Sequence, residues 1–346
     1  MYLIEIARHG VITRKMGEQM AAQEYVLNHI KLDDDILLPY RCEPSIQIGK
    51  YQNTIQEINV DYVEKHHLPI IRRETGGGAI YMDMGAANFI FISDHPASVS
   101  ENFRRIYAPA ISGLEALGAT NVSQRGRNDL EIEGHKISGA AQTVTNGRLY
   151  AGYSLLMDID GDAMAAALRP NRKKIASKGI QSVRKRVGGI RPYLAEEYQH
   201  ISVDDFEELM LKHFLEVDDL TQAKRYELTD KDWEAIDALY AEKYGNWEWN
   251  YGASPHYSYQ RDARFSAGTV DIQLEVENGQ LTQLKIYGDF FGKGEIKDVE
   301  EALTGVTMRR EDLLQALNTI ALDQYMSGIE PEELVDLILD QHQTEE

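Results

Sequence analysis

The sequence predicts an α+β protein, and three observations carry the assignment. Segments of helical and of strand periodicity alternate without a regular βαβ repeat. Hairpin signals occur beside crossovers. The last hundred residues place a hairpin ahead of helices. At 346 residues the chain exceeds one ordinary hydrophobic core, so two domains are predicted, residues 1–245 and 246–346.

The elements follow in order. GEQMAAQEYVLNHI, from Gly17, is rich in helix formers and reads as a helix. PSIQIGKY and LPIIRRE read as short strands. From Asn102, FRRIYAPAISGLEAL sets Phe103, Ile106, Tyr107, Ala110, Ile111, Leu114 and Leu117 on one helical face. Gly118 is its expected stop, and Pro109 predicts a kink or a short break. After the polar helical segment TDKDWEAIDALYAEKY, residues 229–244, a second domain begins. There Val270, Ile272, Leu274 and Val276 alternate strictly, and Asn278-Gly279 reads as a hairpin turn. Leu281, Leu284 and Ile286 lose the alternation once, which predicts a bulge in the second strand. REDLLQALNTIAL and PEELVDLILDQH carry helical patterns, and no internal repeat or low-complexity segment is found.

A formal net charge of -20 argues against a dedicated nucleic-acid binder, which needs a basic surface to neutralise phosphates. A single cysteine, Cys42, excludes an internal disulfide and any multi-cysteine metal site. No run approaches the ~18 apolar residues of a membrane span, and no targeting signal is visible. The expectation is a cytoplasmic protein with neither membrane nor nucleic-acid partner.

Three stretches depart from ordinary scaffold composition. IIRRETGGGAIYMDMGAANFIFI, residues 70–92, sets Gly76, Gly77 and Gly78 inside a strand-forming segment, where glycine costs backbone entropy and packs nothing. A plain turn or bulge explains this, and so does a ligand met closely by backbone N–H groups. Arg72 and Arg73 just before it offer planar forks for phosphate or carboxylate. No Walker lysine follows, and AIYMD reads as a strand, so neither a P-loop nor a dinucleotide fingerprint is present. RPNRKKIASKGIQSVRKRVGGIR, residues 169–191, is wholly basic in its charges inside an acidic protein. It reads either as a solvated surface or as a mobile segment that meets phosphates or an acidic partner. GRNDLEIEGHKISGAA, residues 126–141, reads as two short strands around a type II′ turn with Gly134 at its first central position. Ile132 would then face Ile137, and Glu133 would face Lys136. Lys136 is thus either a solvated charge or a cation held among small residues for chemistry on ligand oxygens.

RRETGGG, GRNDLEIEGHKISGAAQ, SKGIQSVRKRV, WEWNYG and KIYGDFF, in this order, resemble the motifs of the lipoate–protein ligases, whose catalytic domain is similar to that of the biotin–protein ligases. The resemblance covers most of the chain. It implies a large α+β catalytic domain, a small α+β C-terminal accessory domain, and two half-reactions. Lipoate and ATP, with Mg2+, would give lipoyl-adenylate, and a lysine of an acidic lipoyl-acceptor domain would then take the lipoyl group as an amide. By position, Lys136 matches the essential lysine. Arg72, Arg73, Gly76, Gly77, Gly78, Ala79 and Tyr81 match the loop around the lipoyl and phosphate groups. Asn128 and Asp129 match nucleotide-side or metal-side contacts, with the metal ligands themselves left open, and Ser138, Gly139, Ala140 and Gly152 line the same site. Lys173, Lys174, Lys178 and Arg184 would face the acceptor from a lid.

The chain departs from the commonest family pattern in three places. Met82-Asp83-Met84-Gly85-Ala86 replaces His-Asp-x-Gly-Asn, Tyr150-Ala151-Gly152-Tyr153-Ser154-Leu155 replaces His-His-Gly-Thr-Leu-Leu, and Gln23-Glu24 replaces Glu-Glu. This pattern resembles a divergent second ligase of Gram-positive bacteria that acts on a glycine-cleavage H-like carrier. An octanoyl- or lipoyltransferase on the same fold would need a cysteine to hold the acyl group, and Cys42 is its only candidate. A non-catalytic lipoyl-adenylate binder is the remaining alternative.

Overall fold

The computed structural model describes residues 1–168, 188–251, 259–277 and 279–339, apart from the side chains of residues 55 and 56. Two compact units form, one from Met1–Gln47, Ile58–Arg72 and Ile80–Asn250, the other from Ile48–Glu57, Arg73–Ala79 and Tyr251–Glu346. The second unit therefore takes in two excursions of the N-terminal chain that a single linear boundary does not represent.

The first unit holds strands β1 (Tyr2–Leu3), β2 (Ala7–Arg8), β3 (Val11–Ile12), β4 (Ile36–Tyr40), β5 (Ser45–Ile48), β6 (Ile70–Arg72) and β7 (Ile80–Met82), the last residue of β5 excepted. It continues with β8 (Ala86–Ser93), β9 (Ser123–Arg125), β10 (Asp129–Ile132), β11 (His135–Thr145), β12 (Arg148–Leu156) and β13 (Lys224–Arg225). Among the described residues an eight-stranded sheet runs in the order β13-β1-β4-β8-β12-β11-β10-β9. Only the pairings of β1 with β13 and with β4 are parallel. A smaller sheet orders β6-β5-β7.

Every residue of β8 is buried, because both faces of the large sheet are covered. On one face Ile36, Leu38, Ile90, Ile92 and Tyr150 pack with Met20, Val26 and Leu27 of helix Met16–His29 and with Trp233 and Ile236 of helix Asp230–Leu239. On the other, Phe89 meets Phe214 edge-on at 5.0 Å, and Tyr153 lies 5.2 Å from Tyr107. Those partners come from helices Val203–Leu215 and Val99–Ala116. Gly152 is required where β12 lies against β8, since a Cβ there would stand 2.3 Å from Ile90 Cδ1 and 2.7 Å from the Phe89 carbonyl oxygen. Arg148 is buried, with one guanidinium nitrogen donating to the carbonyls of Leu27 and Ile30 (3.0 Å), so it satisfies the C-terminal end of helix Met16–His29.

Helix Val99–Ala116 runs through Pro109 without the expected break. The N–H missing at Pro109 would have bonded the carbonyl of Arg105, which lies on the exposed side of the helix where water can serve instead. Gly118, at φ +92, ends the helix as its left-handed cap. Among the described residues no helix is long and apolar enough to cross a membrane.

In the second unit β14 (Tyr259–Phe265), β15 (Gly268–Glu277) and β16 (Gln280–Gly288) form an antiparallel sheet. Val270, Ile272, Leu274, Leu284 and Ile286 pack with Val299, Leu303, Leu313 and Leu317 of the helices behind them. Glu275 pairs with Gln283 and Val276 with Leu281, so Thr282 is the extra residue of the expected bulge. Tyr51, from the N-terminal excursion, stacks on Phe290 at 4.8 Å, and its carbonyl accepts from Gly288 N (2.7 Å).

Candidate active site

The hairpin of β10 and β11 corrects one expectation. Ile132 faces His135 and Glu131 faces Lys136, so the turn is Glu133-Gly134, with φ of 52° and 82°. Two central residues at positive φ make a type I′ turn, whose twist matches that of the flanking strands. Gly134 is therefore the second central residue, and the predicted pairings of Ile132 with Ile137 and of Glu133 with Lys136 do not form. A register shift follows between Leu130 and Glu131, so Leu130 faces Ser138 and Asp129 faces Gly139. The bulge leaves Leu130, Ile132, Ile137 and Ser138 all buried.

The same shift decides where Lys136 points. Glu131, directly opposite, is engaged by Arg125 (3.4 Å), and the Lys136 ammonium reaches along the hairpin to Asp129 Oδ1 at 2.8 Å. Both side chains remain about one-third exposed, at 34% and 33%. The ammonium passes over Gly139, where a Cβ would stand 3.1 Å from Lys136 Nζ. Glycine thus lets the cation lie directly over the strand, and a Cβ would make it shift by a few tenths of an ångström. Asn128 Nδ2 donates to the Ala140 carbonyl (2.6 Å), and Ala140 N returns a bond to the Asn128 carbonyl (2.8 Å). The Tyr107 hydroxyl also donates to that carbonyl (2.8 Å), which leaves Ser138 Oγ, 3.3 Å away, to donate to the tyrosine oxygen. Lys136, Asp129, Asn128, Ser138, Gly139 and Ala140 are therefore brought together. Asn128 and Ser138 use these bonds to hold the hairpin, while Lys136 and Asp129 present opposite charges at its surface. Tyr107 was legible only as a core residue, because nothing in its helical spacing indicates what its hydroxyl binds. Gly188 N donates to the Lys136 carbonyl (3.0 Å), so the chain re-enters beside this lysine after the basic segment.

Arg72, the last residue of β6, is buried, and Trp249 and Asn250 meet it. Its Nε donates to the Trp249 carbonyl (2.9 Å), and its backbone N–H to Asn250 Oδ1 (2.9 Å). The motif WEWNYG was visible in the sequence without any sign of this contact. Tyr81, on β7, is buried, and desolvation pushes its hydroxyl up to about 12.

Arg73, Gly76, Gly77, Gly78 and Ala79 belong to the other compact unit. The Arg73 guanidinium donates to Thr75 Oγ1 (2.9 Å) and to the carbonyls of Gly76 (2.8 Å) and Gly78 (2.9 Å), so it braces the turn from within. A Cβ on Gly76 would stand 2.2 Å from the Phe290 carbonyl oxygen, and one on Gly49 would stand 2.0 Å from the Gly77 carbonyl oxygen. Gly77 itself sits at φ +94. Close backbone packing and a left-handed turn thus account for glycine at these two positions.

Two of the three departures from the family pattern meet: the Tyr150 hydroxyl donates to Gln23 Oε1 (2.5 Å), while Gln23 Nε2 is buried without a hydrogen-bond partner. Glu24 accepts from Lys243 (2.9 Å) and from the Tyr244 hydroxyl (2.5 Å). Asp83 holds its turn by accepting from Gly85 N (2.8 Å) and Asp160 N (2.9 Å). Cys42 is fully buried, and burial pushes its thiol up to about 12, so it has none of the thiolate character an acyl carrier needs. Lys173, Lys174, Lys178 and Arg184 lie outside the described residues. Among the described residues no group of three or more His, Cys, Asp or Glu side chains could hold a metal ion.

Residues 15–215 match the family described as lipoyl protein ligase A/B catalytic domain, and residues 254–338 match the bacterial lipoate protein ligase C-terminus. The chain is 53% identical to a lipoate–protein ligase of Streptococcus pyogenes, over 98% of this chain and 99% of that one. It is 52% identical to lipoate–protein ligase 2 of Staphylococcus aureus, over 98% and 100%. Among solved structures, P. falciparum LipL1 in complex with lipoate matches with a TM-score of 0.77 at 19% identity, over 98% of this chain and 99% of that one, which speaks to the fold. Lipoate–protein ligase A bound with ATP matches with a TM-score of 0.59 at 25% identity, over 72% and 98%.

Proposed function

The chain belongs to the lipoate–protein ligase family, and from that premise we propose that it activates lipoate with ATP and passes the lipoyl group to a lysine of an acidic lipoyl-acceptor domain. The observation that carries this reading is the Lys136 ammonium, seated over Gly139 and held 2.8 Å from Asp129 at the position of the family's essential lysine. In the first step a lipoate carboxylate oxygen attacks the α-phosphorus of ATP, and pyrophosphate leaves with the electrons of the broken P–O bond. Two anions must approach each other, and a fixed cation offsets that repulsion in the transition state. In the second step the acceptor amine attacks the acyl carbon, AMP departs with the electrons of the acyl–oxygen bond, and the amine loses a proton. Lys136 then stabilises the oxygen of the tetrahedral intermediate. The ATP-bound ligase of similar fold supports ATP as the second substrate.

In this reading Arg72 meets oxygens of the lipoyl-adenylate. Mg2+ fits as an ion held chiefly by nucleotide phosphates and water, with the partly exposed Asp129 carboxylate at the hairpin able to join. When bound, it would neutralise phosphate charge. For the acceptor we infer a glycine-cleavage H-like protein, supported by the departures at Gln23, Met82 and Tyr150 and by the similarity to lipoate–protein ligase 2.

The test is mass spectrometry of candidate acceptor domains incubated with enzyme, ATP, magnesium and either lipoate or octanoate. The expected result is a gain of one lipoyl amide on a single lysine, dependent on ATP. Acyl transfer that proceeds without ATP would overturn the adenylate route, and lipoylation only of acceptors other than H-like proteins would overturn the acceptor assignment.

A further inference from the structure

We propose that Trp249 and Asn250 are positioning residues that set the plane of the Arg72 guanidinium for lipoyl-adenylate formation, an inference that rests on the reading of Arg72 given above. The two residues end the short helix Trp247–Asn250, 177 and 178 positions away in sequence, and they grip Arg72 at its backbone and at its side chain. Arg72 N donates to Asn250 Oδ1 (2.9 Å), and the Arg72 carbonyl accepts from the indole N–H of Trp249 (2.8 Å). Arg72 Nε donates to the Trp249 carbonyl (2.9 Å), and its Nη2 approaches the Asn250 carbonyl (3.4 Å). Fixing one edge of a planar guanidinium fixes the direction of all five of its N–H groups.

The grip is itself held from behind. Asn250 Nδ2 donates to the Tyr244 carbonyl (2.8 Å), so both ends of the Asn250 carboxamide are used and its orientation is determined by its partners. The Trp249 ring lies under the Lys243 ammonium, 4.3 Å from the ring centroid. Lys243 is in turn bound to Glu24 (2.9 Å), which also accepts from the Tyr244 hydroxyl. A buried guanidinium left without hydrogen-bond partners would be costly, whereas one that donates to backbone carbonyls is already oriented when substrate arrives. This accounts for Trp249 and Asn250 within the WEWNYG stretch.

The test is a double-mutant cycle on the full chain, read by lipoate-dependent exchange of pyrophosphate into ATP with thermal melting as a control. Trp249→Phe removes the indole N–H and keeps an aromatic ring under Lys243; Asn250→Ala removes the acceptor of the Arg72 N–H. Both variants keep the backbone carbonyls that meet the guanidinium and remove a neutral bond to the Arg72 main chain, which lets the guanidinium shift; each is expected to lower kcat/KM for lipoate about 5-fold, the scale of a ~1 kcal/mol hydrogen bond. In an Arg72→Ala background each should change it by less than about 2-fold, because the group they orient is gone. Should Asn250→Ala not fold, Trp249→Phe alone decides. Undiminished exchange in Trp249→Phe, or equal losses with and without Arg72, would overturn the inference while leaving the assignment of Arg72 intact. Near-wild-type exchange in Arg72→Ala would remove that assignment and the inference with it, without touching the ligase activity of the parent protein.

Discussion

Replacing Lys136 by alanine separates chemistry from stability, because the structure sets very different scales for the two. The Lys136–Asp129 pair is about one-third exposed on both sides (34% and 33%), so in solvent it contributes no more than about 1 kcal/mol to folding. Asp129 is left accessible to water after the substitution, so no buried charge is stranded. For a chain of 346 residues the melting temperature should fall by no more than about 1–2 °C. Removal of a preorganised cation from a reaction that joins two anions should cost at least ~100-fold in adenylate formation, or about 2.7 kcal/mol of transition-state energy. Gly139→Ala supplies a graded version with the lysine still present. The new Cβ would lie 3.1 Å from Lys136 Nζ and 3.3 Å from Cε, so the ammonium must shift by a few tenths of an ångström. A loss of roughly 3- to 30-fold is expected, between an intact and a deleted cation. The assay is single-turnover pyrophosphate release with lipoate and ATP, paired with thermal melting. Release near the wild-type rate in Lys136→Ala would refute the reasoning and return Lys136 to a solvated charge on a hairpin.

Gly152→Ala should cost about 1–3 kcal/mol of stability, read as a lowered urea midpoint, because its Cβ would stand 2.7 Å from the Phe89 carbonyl oxygen in the middle of the large sheet; an unchanged midpoint would contradict that close approach. Gly76→Ala should reduce lipoate-dependent pyrophosphate release at least ~10-fold, since its Cβ would meet the Phe290 carbonyl oxygen at 2.2 Å and displace the glycine turn; full activity would detach the turn from the reaction. Cys42 should resist a thiol-specific disulfide reagent at pH 8 in the native protein and react once in denaturant, and Cys42→Ser should still form AMP. Its thiol is raised to about 12, above the ~8.5 of an unfolded chain, so its contribution to stability is complete below about pH 8.5 and is lost as pH rises toward 12. Stoichiometric labelling of the folded protein would show that the thiol is not sealed in the core.

The amino-acid sequence by itself determined the features that depend on short-range periodicity. Helix Val99–Ala116 and its Gly118 stop, the alternation of β15, and the bulge at Thr282 were all legible, because side-chain direction repeats every 3.6 or 2 residues and glycine marks the left-handed positions. The grouping of small residues around Lys136 was legible for the same reason. Tertiary structure alone decided the register of the β10–β11 hairpin. Pattern leaves a turn uncertain by one residue, and the choice between Glu133-Gly134 and Gly134-His135 reassigns the partner of Lys136 from Glu133 to Asp129. The grip of Trp249 and Asn250 on Arg72 spans up to 178 residues, and that of Tyr150 on Gln23 spans 127. No local spacing encodes such contacts, since they exist only once separate helices and strands pack into one core. The glycines show the same division: three in succession at 76–78 signalled a close approach, but only the folded backbone showed that the group approaching Gly76 is the Phe290 carbonyl oxygen, and the approach of Gly152 to the Phe89 carbonyl oxygen had no signal in the sequence.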